Sequence, residues 1–75
     1  MKELIEFMAR ALVDEPGAVQ VEEEQDGDRV ILHLYVADQD MGKVIGKQGR
    51  IANAMRTLLK VAAIRRGARA ILEIG

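Results

Sequence analysis

The most informative segment of this sequence is Asp40-Met41-Gly42-Lys43-Val44-Ile45-Gly46-Lys47-Gln48-Gly49-Arg50-Ile51. Two glycines, Gly46 and Gly49, bracket a polar pair at residues 47–48. Because glycine adopts backbone angles that other residues avoid and lets another chain approach closely, this spacing predicts a tight turn between two helices. The first N–H groups of the second helix lack partners within the helix and lie at the positive end of its dipole, so they attract anions. We therefore expect this turn to accommodate a backbone phosphate.

Helical patterns flank the turn on both sides. The short segment Met41–Ile45 follows two aspartates, either of which can cap a helix. Downstream, apolar residues recur at helical spacing from Arg50 to Arg66, and Gly67 ends this longest helix because glycine readily takes the left-handed conformation of a helix C-terminus. The apolar face of that helix is expected to comprise Ile51, Ala54, Met55, Leu58, Leu59 and Ala62. A short strand is predicted over Ala70–Ile74.

The residues before the turn predict a helix and a hairpin. Apolar residues at helical spacing over Lys2–Val13, with Phe7 on the core side, indicate a first helix that stops before Pro16-Gly17. Two alternating apolar and polar segments, separated by the turn signal Asp26-Gly27, predict a β-hairpin. The order α-β-β-α-α-β over residues 1–75 predicts a single α+β domain, with the helices packed on one face of a three-stranded sheet.

The composition excludes several classes of protein. Among the 75 residues there is no cysteine and no serine, and His33 is the single histidine. Disulfides, thiolate chemistry, cysteine metal sites and serine nucleophiles are therefore excluded, and we expect no enzyme activity, no cofactor and no metal. No apolar run approaches the length of a membrane span, and the acid in Met1-Lys2-Glu3 is unlike a signal peptide, so a cytoplasmic protein is expected.

Charge is distributed very unevenly along the chain. Residues 1–40 carry eleven acids and three bases, net −8, whereas residues 41–75 carry eight bases and one acid, net +7. No acid lies between Asp40 and Glu73. Such an asymmetry is typical of a face that binds a polyanion. An alternative stays open at this point, in which the basic residues form a solvated helix surface that pairs with the acidic half.

In residues 40–51, and in the order of helices and strands around them, the sequence resembles a KH domain of type II, the prokaryotic arrangement. The GXXG loop of KH domains, here Gly46-Lys47-Gln48-Gly49, clamps the backbone of about four unpaired nucleotides. The resemblance covers essentially the whole chain. More narrowly, residues 40–51 are very similar to the central motif of the small stand-alone bacterial KH proteins of the KhpA (YlqC-like) family.

The resemblance implies a single-stranded RNA-binding protein that acts as an RNA chaperone or post-transcriptional regulator. The implied RNA-binding site comprises Lys43, Val44, Ile45, Gly46, Lys47, Gln48, Gly49, Arg50, Ile51, Asn53 and Arg56. Val44, Ile45 and Ile51 would supply apolar contacts to the bases, and Ile31 or Leu32 would lie opposite on a strand. Since the chain has only two aromatic residues, few rings are available for stacking with bases.

The resemblance also implies protein partners. These are a second copy of the chain and a larger multidomain KH protein of the KhpB (Jag-like) family, with a link to cell elongation, division and cell-wall homeostasis. In the sequence itself, Val61 and Ile64 lie off the apolar face of the longest helix and are candidates for self-association. The alternative is that they are ordinary single apolar residues on a surface.

Two further alternatives to RNA binding stay open. In the first, the KH scaffold serves mainly as a dimerisation or assembly module, with the acidic N-terminal half docked on a basic partner. The two loop glycines and Lys47, with no acid at the tip of the loop, favour nucleic-acid binding over this possibility. In the second, the ligand is single-stranded DNA, because no residue identifies a contact to a ribose 2′-OH.

Overall fold

The computed structural model describes residues 1–75 and contains three helices and three strands. The helices are α1 (Lys2–Leu12), α2 (Met41–Ile45) and α3 (Arg50–Arg65), and the strands are β1 (Gln20–Asp26), β2 (Arg29–Tyr35) and β3 (Arg69–Ile74). Single turns of 3₁₀ helix cover Pro16–Ala18, Asp38–Asp40 and Lys47–Gly49. The predicted order α-β-β-α-α-β is confirmed. None of the helices has the length and apolar character needed to cross a membrane.

The sheet has the strand order β1-β2-β3. β1 and β2 are antiparallel and their last pair is Asp26 with Arg29, so the hairpin turn lies at residues 27–28, one residue later than the sequence indicated. β2 and β3 are parallel, with Leu32 opposite Leu72. Parallel neighbours need a crossover connection, and α2 and α3 provide it. The turn between these two helices therefore lies in the middle of the crossover.

The hydrophobic core lies between the sheet and the three helices. The alternation predicted for β2 is confirmed, since Val30, Leu32 and Leu34 are all buried. They belong to one cluster of buried apolar side chains, whose other members are Ile5, Ala9, Val13, Val19, Val21, Val44, Met55, Leu59 and Leu72. This is the expected two-layer α+β architecture, with the helices on one face of the sheet.

Two helix faces differ from the sequence prediction. Phe7, expected on the core side of α1, is 74% exposed, and the buried residues of α1 are Ile5 and Ala9. The buried face of α3 consists of Ala52, Met55, Leu59 and Ala63. Ala54 and Leu58, which were expected in the core, are exposed. The reason is that the apolar arc of each helix is wider than the part that one sheet face and two neighbouring helices can cover.

The uncovered parts of these two arcs form an open apolar groove between α1 and α3. The groove has a volume of about 390 Å³. Its lining residues are Phe7, Met8, Ala11, Leu12, Arg50, Ile51, Ala54, Met55 and Leu58. Arg50 is the only charged residue among them, and it lies at the end of the groove where α3 begins.

One buried carboxylate fixes the start of α2. Asp40 is fully buried, and its two carboxylate oxygens accept the backbone N–H groups of Asp14, at 3.2 Å, and Glu15, at 3.0 Å. Burial raises the pKa of Asp40, but these two N–H donors and the ammonium of Lys43 outweigh it, so that the pKa lies below its ordinary value. The connection after α1 is thereby held against the helix that carries the glycine turn.

Candidate nucleic-acid interface

The turn between α2 and α3 is built by its two glycines. Gly46 ends α2 with φ +77°, and its N–H donates to the carbonyl oxygen of Gly42 at 2.9 Å. Gly49 precedes α3 with φ +74°, and its N–H donates to the carbonyl oxygen of Gly46 at 3.2 Å. Gln48, between them, also has a positive φ of 57°. Three positive φ angles in four residues reverse the chain tightly, and the predicted tight turn is confirmed.

The glycine at position 46 is required for space as well as for backbone angle. A Cβ there would lie 2.6 Å from Cγ1 of Ile51 and 2.9 Å from its backbone nitrogen. At Gly49 the nearest atom to a Cβ would be Nδ2 of Asn53, at 3.9 Å, which is ordinary contact. Gly49 is therefore required by its backbone angle alone, and Gly46 by both constraints.

The tip of the turn presents positive charge without any nearby acid. No acidic residue lies in the first turn of α3, and no side chain caps the N-terminus of this 16-residue helix. The N–H of Arg50 donates to the carbonyl oxygen of Lys47, and no side chain caps the N–H groups that follow it, so the positive end of the helix dipole stays open to an anion. Lys47 forms no ion pair, and Arg50 donates only to Oε1 of Gln48, at 3.4 Å. The site thus combines an uncapped helix N-terminus, two cations and an approachable glycine backbone.

A row of polar groups leads from the turn to the free edge of the sheet. Asn53 lies beside Gly49, and its Oδ1 accepts a bond from Nη1 of Arg56 at 3.3 Å. Nε of Arg56 donates to the carbonyl oxygen of Leu72, at 3.3 Å, on the edge strand β3. The strand that borders this row is therefore β3, which the sequence did not indicate.

The sequence was compared with models of known protein families. A sequence profile described as "KhpA/KhpB, KH domain" matches residues 2–74. The chain belongs to this family.

Members of the KhpA/KhpB family that are similar to this chain include three bacterial proteins named RNA-binding protein KhpA. The protein of Caldanaerobacter subterraneus subsp. tengcongensis is 55% identical, and that of Clostridium acetobutylicum is 54% identical. The protein of Clostridium perfringens is 53% identical. In each case the similarity covers 99% of this chain and 99% of the relative.

Solved structures show the same fold in a larger protein. Era from Aquifex aeolicus, bound to GDP and AlF4−, matches with a TM-score of 0.65 at 16% identity. Era in complex with MgGDPNP and a segment of 16S ribosomal RNA matches with a TM-score of 0.56 at 19% identity. Each match covers 97% of this chain and 28% of the Era chain. Identities this low show that the KH fold is shared and nothing more.

Within this KH domain, three expected base contacts are wrong. Val44 and Leu32 are fully buried in the core, so neither reaches a ligand. Ile31 alternates with the buried residues of β2 and therefore lies on the sheet face away from the helices. Only two of the expected apolar residues, Ile45 and Ile51, are partly accessible beside the turn, and Ile45 is 38% exposed. Periodicity marks a residue as apolar but does not distinguish a core residue from one that lines a groove.

Lys43 differs from the other predicted phosphate ligands because it is already paired. Its Nζ lies 2.7 Å from Oδ2 of Asp14 and 3.4 Å from Oδ1 of Asp40. The bond to Asp14 is the main reason that the pKa of Lys43 lies above its ordinary value. Its charge is thus largely balanced within the protein, in contrast to that of Lys47.

The other basic residues of the second half show how far the two oppositely charged halves of the chain pair with each other. Seven of the eight cations after position 40 form no ion pair with a carboxylate. They are Lys47, Arg50, Arg56, Lys60, Arg65, Arg66 and Arg69. Among the basic residues after position 40, pairing with the acidic half is confined to Lys43. The alternative is therefore wrong in its pairing of the basic residues with the acidic half, whereas the exposed surface that it expected for them is present.

The two candidates for self-association are both on the surface. Ile64 is 64% exposed and Val61 is about as exposed as Leu58. Residues 58, 61 and 64 are three apart and so lie next to one another along α3. Leu58 and Phe7, which sequence periodicity assigned to the core, extend this stripe into the apolar groove. The accessible apolar surface is therefore larger than the sequence predicted.

Proposed function

We propose that this chain binds single-stranded RNA and that its Gly46–Gly49 turn holds the phosphate backbone. The observation that carries the proposal is the positive charge at the turn: the uncapped N-terminus of α3 and the cations of Lys47 and Arg50, neither of which pairs with a carboxylate. GXXG loops of KH domains clamp about four nucleotides in this way. Membership of a family whose relatives are named RNA-binding proteins supports the same ligand.

The path of the RNA follows from the row of polar groups beside the turn. A strand clamped at Gly49 passes Asn53 and then Arg56, which reaches the edge of β3 through its bond to Leu72. Ile45 and Ile51 provide apolar contact at the start of this path. The bases thus lie against α3 and the edge of β3.

The affinity of one module is expected to be modest. If Lys47, Arg50 and two further cations neutralise about four phosphates, the slope of log K against log salt is about −3 for a single strand. Association of modules would raise the apparent affinity through effective concentration.

A charge-reversal variant tests the clamp. Short fluorescein-labelled RNA is titrated with the wild type and with the Lys47→Asp, Gln48→Asp double variant, while circular dichroism confirms that each is folded. The matched control is the Arg65→Gln, Arg66→Asp variant, which changes the net charge by the same amount at the far end of α3. With a rise of about 1.5 Å per residue, this is more than two Debye lengths from the turn at physiological salt.

We expect the loop variant to lose RNA binding and the control variant to retain most of it. Equal losses in both variants would mean that RNA is bound through the net charge of the protein and not through the turn. Equal binding by all three proteins would refute the clamp. Titration with DNA of the same sequence distinguishes RNA from single-stranded DNA as the preferred ligand.

Family resemblance extends the proposal to the cell. We assign the chain to the cytoplasm as a non-enzymatic RNA chaperone or post-transcriptional regulator, connected with cell elongation, division and cell-wall homeostasis. Chaperone activity predicts faster annealing of two complementary, structured RNA strands by the wild type than by the loop variant. Equal annealing rates would contradict this role.

A second function, protein assembly, is favoured by the exposed apolar surface on α1 and α3. Phe7, Leu58, Val61 and Ile64 leave a stripe that a second copy, or the larger KhpB-like KH protein, would cover. Sedimentation of Ile64→Glu tests the homodimer: the variant should remain monomeric at concentrations where the wild type associates. Identical sedimentation of the two proteins at all concentrations would exclude a contribution of Ile64.

A further inference from the structure

Arg56 holds its guanidinium in a fixed position while leaving most of its donors free. Nε donates to the carbonyl oxygen of Leu72 and Nη1 donates to Oδ1 of Asn53, both at 3.3 Å. A guanidinium has five N–H donors, so three remain without a protein acceptor, including both on Nη2. No carboxylate pairs with Arg56.

These free donors lie on the path of the RNA rather than at the phosphate-binding turn. Asn53 links Arg56 to Gly49, and Leu72 places it at the edge of β3. Resting on the RNA-binding function proposed above, we propose that Arg56 reads bases. It selects guanine and cytosine over adenine and uracil, because its planar fork requires two adjacent hydrogen-bond acceptors.

The hydrogen-bonding edges of the four bases explain this selection. Guanine offers the neighbouring acceptors O6 and N7, a pair that arginine binds with two parallel bonds. Cytosine offers O2 and N3 side by side on its Watson–Crick edge, which is accessible in an unpaired strand. Adenine has no two adjacent acceptors, because its amino group lies beside N1 and N7, and the N–H of uracil lies between its two acceptors. Adenine and uracil therefore accept only one hydrogen bond from a pair of adjacent guanidinium donors.

The two protein bonds of Arg56 make this selection sharper. An exposed arginine loses considerable side-chain freedom when it binds, whereas Arg56 is already restrained by Leu72 and Asn53. A lysine at this position would keep the charge but lose the planar pair of donors. A contact of Arg56 with phosphate alone would give affinity without any preference among bases.

Anisotropy titrations with four labelled RNA octamers test the proposal. One octamer is all uridine, and the others carry a single guanine, cytosine or adenine at the fourth position. The proteins are the wild type, Arg56→Lys, and Arg65→Lys as a matched control on the same helix. The measured quantity is the ratio of affinities between octamers for one protein, which cancels any change in the folded fraction.

We expect the wild type to bind the guanine and cytosine octamers at least about fivefold more tightly than the other two. Arg56→Lys should reduce this ratio to below about twofold, and Arg65→Lys should leave it unchanged. Equal binding of all octamers by the wild type, or a preference that persists in Arg56→Lys, would overturn the inference while the RNA-binding function stands. Failure of the wild type to bind any octamer would instead refute the RNA-binding function itself.

Discussion

Gly46 and Ile51 pack so closely that a Cβ on Gly46 would lie 2.6 Å from Cγ1 of Ile51. The positive φ of Gly46 adds backbone strain for any other residue. We therefore expect Gly46→Ala to lower the free energy of unfolding by about 2–6 kcal/mol, the combined cost of overpacking and of strain in a backbone region, φ 77° and ψ 175°, that only glycine occupies readily. Urea denaturation measures this loss.

Gly49→Ala is the comparison variant, because Gly49 lies in the left-handed helical region, at φ 74° and ψ 14°, and a Cβ there would meet nothing closer than 3.9 Å. Its expected cost is about 1–2 kcal/mol, from strain alone. If the two substitutions cost the same, neither the contact of Gly46 with Ile51 nor the backbone conformation of Gly46 adds to the cost.

Leu58 and Leu59 are neighbours on α3 with opposite surroundings. Leu59 is buried in the core, whereas Leu58 is 52% exposed beside the apolar groove. Leu59→Ala should therefore cost about 2–5 kcal/mol of unfolding free energy. Leu58→Ala should cost less than about 1 kcal/mol. Urea denaturation in dilute solution measures the loss of unfolding free energy in each variant. Equal losses would mean that Leu58 is covered by other side chains in the folded monomer.

Asp40 should make the stability of the fold depend on pH in the acid range. A carboxylate whose pKa is lower in the folded state contributes stability above its unfolded pKa of about 3.9, and this contribution is lost as pH falls through the folded pKa. Asp40→Asn should lower the thermal midpoint at pH 7, and the gap to the wild type should shrink below about pH 4. The exposed Asp38→Asn serves as control and should keep the wild-type midpoint at pH 7. A gap that stays constant down to pH 2 would contradict this role of Asp40.

Asp14 should weaken RNA binding by pairing with Lys43. The two side chains are 2.7 Å apart, and Asp14 is largely exposed. Asp14→Asn should tighten RNA binding and steepen the salt slope by at most about 0.7, because Lys43 then keeps only its longer contact with Asp40, at 3.4 Å, and becomes more available to phosphate. Asp38→Asn removes the same charge without releasing a cation and should leave the slope unchanged. An equal effect of both variants would indicate general repulsion instead of a released lysine.

Local signals made much of the fold predictable. The alternation in β2 predicted its buried residues, and the glycines at positions 46 and 67 predicted where helices end. The glycine spacing also predicted the tight turn of the candidate site. Each of these features depends on residues within a few positions of one another.

Features that depend on distant residues were not predictable. The hydrogen bonds from the N–H groups of Asp14 and Glu15 to Asp40 join residues that are 26 and 25 positions apart, and no local sequence pattern predicts them. The same is true of the bond from Arg56 to Leu72, which identifies β3 as the strand beside the site. Phe7 and Val44 were misjudged because apolar spacing defines an arc on a helix but not how much of that arc the neighbouring elements cover.

The parallel pairing of β2 with β3 has a kinetic consequence. The hairpin assembles from near neighbours such as Asp26 and Arg29, whereas His33 meets Glu73 only after the intervening chain has closed. Closing a long segment costs entropy before any contact compensates for it, so such pairings form slowly. The Gly46–Gly49 turn is built by local bonds, but the bond from Arg56 to Leu72 needs β3 in place, so we expect this side of the site to be completed after the hairpin has formed.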